Sequence, residues 1–370
     1  MIIKNIKADG YKNLKAVDIQ PDPKINVLYG DNAQGKTNLV EALWILTGAK
    51  SFRGTKERDM VGFESEKAEV TVDFQDAVRD QKIELVLTKN SRERRILLNG
   101  LKQKSFSGLF GQLKCVVFTP EDLELSKGSP EIRRDFLDLC ISQIKPSYSA
   151  TVAKYENILL QRNTLLKNIF SGISQEDELD VWDVQLARLG AYISVLRYAY
   201  AQKLWQFAGG VYNDLCAGKE KLIIKYSSSI YDELDGRTDY AGEMAKEYLE
   251  KLNESRRDDI RFGFTQRGIH RDDVYVYIDG LLAKDFGSQG QNRSAALSMK
   301  LGQAYILHEE TEDMPVMLLD DVLSELDSKR REFILSKLKD MQVFITCCEP
   351  VKKLSGRYFE VSVGNIRKVR

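Results

Sequence analysis

Gly30-Asp31-Asn32-Ala33-Gln34-Gly35-Lys36-Thr37 stands between an apolar run, Ile25, Val27, Leu28 and Tyr29, and a segment where Leu39, Val40, Ala42, Leu43 and Leu46 recur at helical spacing. The order predicted is a buried strand, a glycine loop and a helix. The eight residues fit the Walker A phosphate-binding pattern. Glycines there let backbone N–H groups turn inward on phosphate oxygens, Lys36 neutralises the terminal phosphates, and Thr37 offers a hydroxyl to Mg²⁺ at the helix N-terminus. The expected ligand is a purine nucleoside triphosphate. The bland alternative is a glycine turn before a helix, so the reading needs partners elsewhere in the chain.

Those partners lie far downstream. Val316, Met317, Leu318 and Leu319 form an apolar strand ending in Asp320-Asp321, the Walker B arrangement in which the leading carboxylate orders Mg²⁺ and the following one polarises water. Thr37 and Asp320 are therefore the candidate metal ligands, and Asp321 the candidate catalytic base. Ser288-Gln289-Gly290-Gln291 precedes a helical pattern through Ala295, Leu297, Ala304 and Leu307, with Ser288 placed to cap it. It matches the S-x-G-Q signature of ABC-type ATPases through Ser288, Gly290 and Gln291. After Walker B, Ser324-Glu325-Leu326-Asp327 is similar to a D-loop, with Ser324 and Asp327 at its ends.

In this order the four motifs resemble the ABC ATPase head of SMC-type DNA repair proteins, and finer blocks narrow the resemblance to the RecF family. These blocks are Gly10-Tyr11-Lys12-Asn13-Leu14, Phe118-Thr119-Pro120-Glu121-Asp122-Leu123, Lys127-Gly128-Ser129-Pro130 with Arg133-Arg134-Asp135-Phe136-Leu137-Asp138, His270-Arg271-Asp272-Asp273, and Asp320 through Asp327. The match spans nearly the whole chain. The resemblance implies an α/β fold: an ABC-type P-loop ATPase head, with a mixed sheet, flanking helices and an antiparallel β subdomain, carrying an inserted helical lobe. It also implies ATP and Mg²⁺ as cofactors and an ATP-dependent homodimer, in which Ser288, Gly290 and Gln291 of one copy cover ATP held by Gly30–Thr37 of the other. Lys12 and Asn13 match positions from which related heads reach the nucleotide, and Glu121 lies near the usual Q-loop. Two departures bear on hydrolysis. The second Walker B acid is Asp321, one methylene shorter than the usual glutamate, and Phe344-Ile345-Thr346-Cys347 lacks a switch histidine, so slow turnover is expected.

The function implied is that of a weak DNA-dependent ATPase acting as a switch in recombinational repair and replication-fork maintenance. It would bind double-stranded or gapped DNA and help RecO and RecR load RecA. Two other classes share some of these features. The ATPase subunit of an ABC transporter has the same nucleotide motifs but not the helical insertion. A metabolic P-loop kinase would need no signature.

Composition agrees with such a protein. In 370 residues, 43% hydrophobic and 30% charged, no apolar run approaches the roughly 20 residues a membrane helix needs. Met1-Ile2-Ile3-Lys4 opens a strand-like segment without signal-peptide architecture, and the five cysteines show no C-x-x-C spacing, so a reducing cytoplasm is expected. The cysteines read as small core residues. Two histidines, His270 and His308, argue against a zinc site.

Basic and acidic residues balance at 55 each, so any DNA contact must come from local clustering. Lys89, Arg92, Arg94, Arg95, Lys102 and Lys104 face one acid, Glu93, on a predicted hairpin around Asn99-Gly100. Lys50, Arg53, Lys56 and Arg58 form a second cluster. Either could follow a phosphate backbone, or simply keep a surface soluble. No aromatic residues interleave them, which favours duplex backbone contact over reading of single strands.

Residues 1–128 read as strands with one main helix: Ala68–Phe74, Lys82–Lys89, Arg94–Leu101 and Lys114–Phe118 carry strand character. From Ser129-Pro130, a helix start with proline in its first turn, helical patterns dominate to about Ser255, with breaks at Ser171-Gly172 and Gly209-Gly210. Strand character returns near Phe262 and at Val274–Ile278, with a turn at Asp279-Gly280. The domains expected are an ATPase head over 1–128 and 259–370, and a helical lobe over 129–258. Unlike the long arms of SMC relatives, this insertion has no sustained heptads. Its acidic run, Glu176, Asp177, Glu178, Asp180 and Asp183, reads as a solvated turn.

Overall fold

A computed structural model describes residues 1–91, 93–349 and 354–369. The chain divides into two compact units, Met1–Leu123 with Ala296–Arg370, and Glu124–Ala295.

The N-terminal segment contributes β1 (Ile2–Asp9), β2 (Val17–Ile19), β3 (Ile25–Tyr29), α1 (Lys36–Ile45), β4 (Lys67–Gln75), β5 (Asp80–Thr88), β6 (Arg94–Leu98), β7 (Leu101–Lys102) and β8 (Cys115–Phe118). Six of these strands form an antiparallel sheet in the order β2-β1-β4-β5-β6-β7. Alternation drives it: Ala68, Val70, Val72 and Phe74 of β4 point inward beside Ile83, Leu85 and Leu87 of β5, while the residues between them stay partly or fully exposed. The β6–β7 turn falls on Asn99-Gly100, where both residues take positive φ, as a two-residue hairpin requires.

The second unit contains α2 (Pro130–Ile144), α3 (Ser147–Phe170), α4 (Leu179–Leu215), β9 (Leu222–Ser227), α5 (Glu243–Phe262), β10 (Asp273–Ile278), β11 (Leu281–Leu282) and α6 (Ala283–Phe286). Several expectations need correction here. Gly209-Gly210 does not interrupt α4: Ala208, Val211 and Tyr212 beside it are buried, and this packing offsets the poor helix propensity of two glycines. The supposedly helical stretch contains a strand, β9, which pairs antiparallel with β10. Phe262 ends a helix instead of starting a strand, because Gly263 closes α5 in the left-handed conformation with its N–H donated to Asp259 O. Since β10 and β11 share a sheet with β9, the second unit continues to Ala295, whereas sequence patterning sets the boundary at 258.

In the acidic run Glu176, Asp177 and Glu178 lie exposed on a short 3₁₀ turn and Asp180 is exposed, as a solvated turn requires; Asp183 alone departs from that reading. Asp183 is fully buried and accepts from Arg162 Nε at 2.5 Å and from Arg256 Nη2 at 2.7 Å, while Arg256 also pairs with the exposed Asp180. Arg162, itself fully buried, donates further to Asp259 and Thr265. Buried charge is tolerated because each carboxylate meets a guanidinium.

Helix α7 (Gln289–Thr311) returns the chain to the first unit, which adds β12 (Val316–Leu319), α8 (Ser328–Lys337), β13 (Val343–Cys347), β14 (Arg357–Ser362) and β15 (Asn365–Lys368). The second large sheet runs β15-β14-β3-β13-β12-β8, parallel except for the terminal β14–β15 hairpin. Its central strands are apolar on both faces, as burial by helices demands. Among the described residues no helix is long and apolar enough to cross a membrane.

Candidate nucleotide site

Strand β3 leads into Gly30–Gly35 and then α1, the predicted order. Gly30 has φ +148°, and a Cβ there would lie 2.3 Å from Val361 O, so only glycine lets β14 pass this close. The turn between β14 and β15 clasps the loop: Val363 N donates to Gln34 Oε1 at 2.6 Å and Gly364 N to Gln34 O at 3.0 Å. Lys36 is 5% exposed, and its ammonium donates to Gly30 O at 2.6 Å and Asp31 O at 2.8 Å. The start of α1 has no side-chain cap and no acid in its first turn. Its N–H groups and partial positive charge face the loop, a setting that suits an anion.

Walker B reaches this loop through the sheet. Strand β13 lies between β3 and β12, so the ends of β3 and β12 are about two strand spacings apart, near 10 Å. Side chains bridge that distance. Thr37 Oγ1 donates to Asp320 Oδ1 at 3.0 Å, and Thr346 Oγ1, at the end of β13, donates to the same oxygen at 2.8 Å. Thr346 also accepts from Asp321 N at 2.9 Å. Burial raises the Asp320 carboxyl above its ordinary range, against the bonds from Thr346 and Thr37 that favour the ionised form. Hard oxygen donors from Thr37 and Asp320 fit Mg²⁺, which takes few protein ligands and completes its shell with phosphate and water. Thr346 was not singled out from sequence; a lone polar residue in the apolar run Val343-Phe344-Ile345 was its signal.

Asp321 adopts a left-handed backbone, φ 55°, at the start of a short 3₁₀ turn, Val322–Glu325. Ser324 Oγ donates to Asp321 O at 2.5 Å, which ties the D-loop to the candidate base. Asp327 caps α8 by accepting from Arg330 N at 2.9 Å, and that bond holds its carboxyl below the usual range. Glu121 is exposed on the turn after β8.

Asn13 meets the loop, donating to Ala33 O at 3.1 Å and accepting from Asn38 Nδ2 at 2.7 Å. Lys12 does not. Its ammonium pairs with Glu41, a buried carboxylate on α1, and donates to Thr55 Oγ1 at 2.9 Å, because leaving Glu41 unpaired in the core would cost more than the pair does. Arg53, expected in a DNA cluster, instead donates to Asn38 Oδ1 at 3.1 Å, and its charge is felt at Asp320.

The signature belongs to the second unit. Ser288 Oγ accepts from Gln291 N at 3.2 Å while Ser288 N donates to Gln291 Oε1 at 2.9 Å, a reciprocal capping box at the start of α7. Gln291 Nε2 donates to Glu220 Oε1 at 3.0 Å, which fixes its amide; Gly290 sits in the first turn.

The basic clusters are less uniform than their sequence. Arg94 pairs with Glu57 and lies 5.7 Å from the Phe106 ring centroid, and Lys89 donates to Phe63 O. Arg94 and Arg95 are consecutive in a strand and so point to opposite faces. Arg92 lies outside the described residues. Lys50, Lys56, Arg58 and Arg95 are exposed, with Arg58 beside Asp59. Among the described residues no three His, Cys, Asp or Glu side chains gather as a metal-binding group. Of the cysteines only Cys115 and Cys140 are buried; Cys348 is exposed, 3.3 Å from Asn32 Oδ1 of the loop, so the reading of all five as core residues does not hold.

The family model "RecF/RecN/SMC N terminal domain" matches residues 2–357. The DNA replication and repair protein RecF of Agathobacter rectalis is 37% identical over 347 residues, 94% of this chain and 92% of that protein. The solved structure of the recombination mediator protein RecF-ATPrS in the RecFOR pathway aligns with a TM-score of 0.93 at 36% identity, covering 100% of this chain and 98% of that one. An Smc head bound to the C-winged helix domain of ScpA, 14% identical with a TM-score of 0.55 and covered to 97%, shares the fold alone. A phosphate loop closed by a Walker B carboxylate, a capped signature helix and full-length similarity to RecF proteins converge: this chain belongs to the RecF family, with the mixed α/β head of ABC- and SMC-type ATPases.

Proposed function

We propose that the chain is an ATP-dependent DNA-binding switch of recombinational repair and replication-fork maintenance, working with RecO and RecR proteins to load RecA in the cytoplasm. The observation that carries the ATP reading is the Thr37–Asp320 bond beside a buried Lys36 at the open N-terminus of α1. Relatives named as DNA replication and repair proteins, and one solved as RecF-ATP in the RecFOR pathway, support the setting. Family membership argues against the transporter and kinase alternatives.

In this reading Lys36 leaves the Gly30 and Asp31 carbonyls for the terminal phosphates, and Asn13 and Gln34 keep the loop in shape. Mg²⁺ held by Thr37 and Asp320 would neutralise charge on those phosphates. Ser288, Gly290 and Gln291 of a second copy close the site, so ATP joins two copies on double-stranded or gapped DNA. Asp321, its amide fixed by Thr346, accepts a proton from the attacking water, and its short side chain keeps turnover slow. Exposed Lys50, Lys56, Arg58 and Arg95 contribute to phosphate contact.

Mixed variants test the shared site. Lys36→Ala should lose ATP binding, and Ser288→Arg should bind ATP but neither dimerise nor hydrolyse it. Mixing the two should restore partial activity, because one interface then joins an intact Walker A to an intact signature. Folded variants that stay inactive at every mixing ratio would exclude a site shared between copies. Retention of immobilised duplex DNA should rise with ATP, and equal retention without it would remove the switch.

A further inference from the structure

Glu220 stands on the bend between α4 and β9, half-buried, and its carboxylate reaches the signature within the second unit. Its Oε1 accepts from Gln291 Nε2 at 3.0 Å. Its Oε2 accepts from the Tyr212 hydroxyl at 2.6 Å and from Cys216 Sγ at 3.7 Å. Tyr212 is fully buried in the last turn of α4, and Cys216 directly follows that helix. One carboxylate oxygen is thus anchored on the end of a 37-residue helix while the other holds the signature.

The other end of the same amide closes the capping box. Gln291 Oε1 accepts from Ser288 N at 2.9 Å, and Gln291 N donates to Ser288 Oγ at 3.2 Å. Glutamate closes such a box as well as glutamine does, and its charge suits a helix N-terminus better. Here a glutamate would set two carboxylates against each other, whereas glutamine brings an N–H₂ for Glu220 to receive. Glu220 therefore decides which way the amide faces. With Nε2 on the carboxylate, Oε1 falls on Ser288 N; a flipped amide would turn its oxygen on Glu220 and open the box. Ser288 is exposed, and a hydroxyl that accepts from Gln291 N still has its own proton to donate.

We propose that Glu220 is a positioning residue for the signature: by fixing the Gln291 amide it holds Ser288 and the first turn of α7 in the shape that receives the γ-phosphate of ATP bound to a second copy. This inference rests on the reading of the ATP site as shared between copies. Glu220 touches no phosphate, and its charge would repel one. Its contribution is geometric, because donors stabilise an anion best when they are already aimed at it.

The test uses the full chain, with ATP affinity measured by titration, dimerisation with Mg²⁺ and ATP by sedimentation velocity, and steady-state hydrolysis. Glu220→Ala should bind ATP as a monomer with wild-type affinity, since its own Walker A is untouched. Its ATP-dependent dimerisation should weaken at least about tenfold, from the loss of a hydrogen bond to a charged group. Glu220→Asp, which keeps the charge but withdraws the acceptor by one methylene, should show the same loss and carries the test if the alanine variant folds poorly. Glu220→Gln keeps an acceptor for Gln291 and removes the charge, so it should dimerise and hydrolyse as wild type or better. Because the defect lies only on the signature side, mixing Glu220→Ala or Glu220→Asp with Lys36→Ala should restore partial hydrolysis. Wild-type dimerisation by the alanine and aspartate variants, equal losses with glutamine and alanine, or no rescue by Lys36→Ala where Ser288→Arg is rescued would each overturn the proposal. Failure of Ser288→Arg itself to be rescued would instead strike the shared site, and this inference with it.

Discussion

Thr37 and Asp320, 283 positions apart in sequence, are joined by a hydrogen bond of 3.0 Å from hydroxyl to carboxylate. Replacing Asp320 with Asn keeps the shape and removes the charge. ATP affinity in the presence of Mg²⁺ should fall at least about tenfold, whereas binding measured in EDTA should match wild type. Titration calorimetry under both conditions separates the two. Because burial already disfavours the charged carboxylate, stability should change by less than about 1 kcal/mol.

Thr346 links the Walker B acids, donating to Asp320 and accepting from the Asp321 amide. Thr346→Val is close in shape but orphans that amide, at a cost of about 1–3 kcal/mol. Urea unfolding should show this loss, and single-turnover hydrolysis should slow while ATP affinity stays within a few-fold. Unaltered hydrolysis would mean that Asp321 needs no positioning from β13.

Gly190 of α4 lies under Tyr248 of α5: a Cβ there would be 2.3 Å from the ring, whose hydroxyl bonds Tyr155 at 2.8 Å and accepts from Ile269 N at 3.1 Å. In an exposed helix Gly→Ala usually stabilises. Here it should destabilise by about 2–3 kcal/mol, because the ring has no room to retreat. Denaturant midpoints of the full chain measure the sign directly.

His270 is held neutral. Its Nε2 faces Thr265 O at 3.1 Å and its Nδ1 the Tyr155 hydroxyl at 3.1 Å, and burial lowers its pKa to about 4 from 6.5. The unfolded chain then takes up a proton between pH 6.5 and 4 that the folded chain refuses, so stability is full above that window and is lost as pH falls through it. The loss reaches roughly 3 kcal/mol. His270→Gln should flatten the difference in stability between pH about 7.5 and about 5. Identical slopes in both proteins would assign the pH dependence to other groups.

What could be read from sequence was local. The strand–loop–helix order around Gly30–Lys36, the cap by Ser288 and the Asn99-Gly100 turn are each set by a few adjacent residues whose backbone needs are specific. What escaped depends on distant pairing. Leu222–Ser227 looks helical among helices until Asp273–Ile278 pairs with it. Lys12 followed the motif, but the buried carboxylate of Glu41 claims it; nothing in the local sequence marks Glu41 as buried. The Arg94-Arg95 pair looked like a single patch because sequence adjacency conceals the alternation of a strand.

The position of β3 has a consequence for how the molecule is made. Both its neighbours, β13 and β14, come from residues 343–362, so the phosphate loop leaves the ribosome long before anything can pair with the strand that carries it. The second unit, contiguous over 124–295, can close on itself during synthesis, while the ATP site must wait for almost the entire chain. On the proposed function, nascent copies hold nucleotide only once β13 and β14 have been made, so unfinished chains stay out of ATP-dependent pairing.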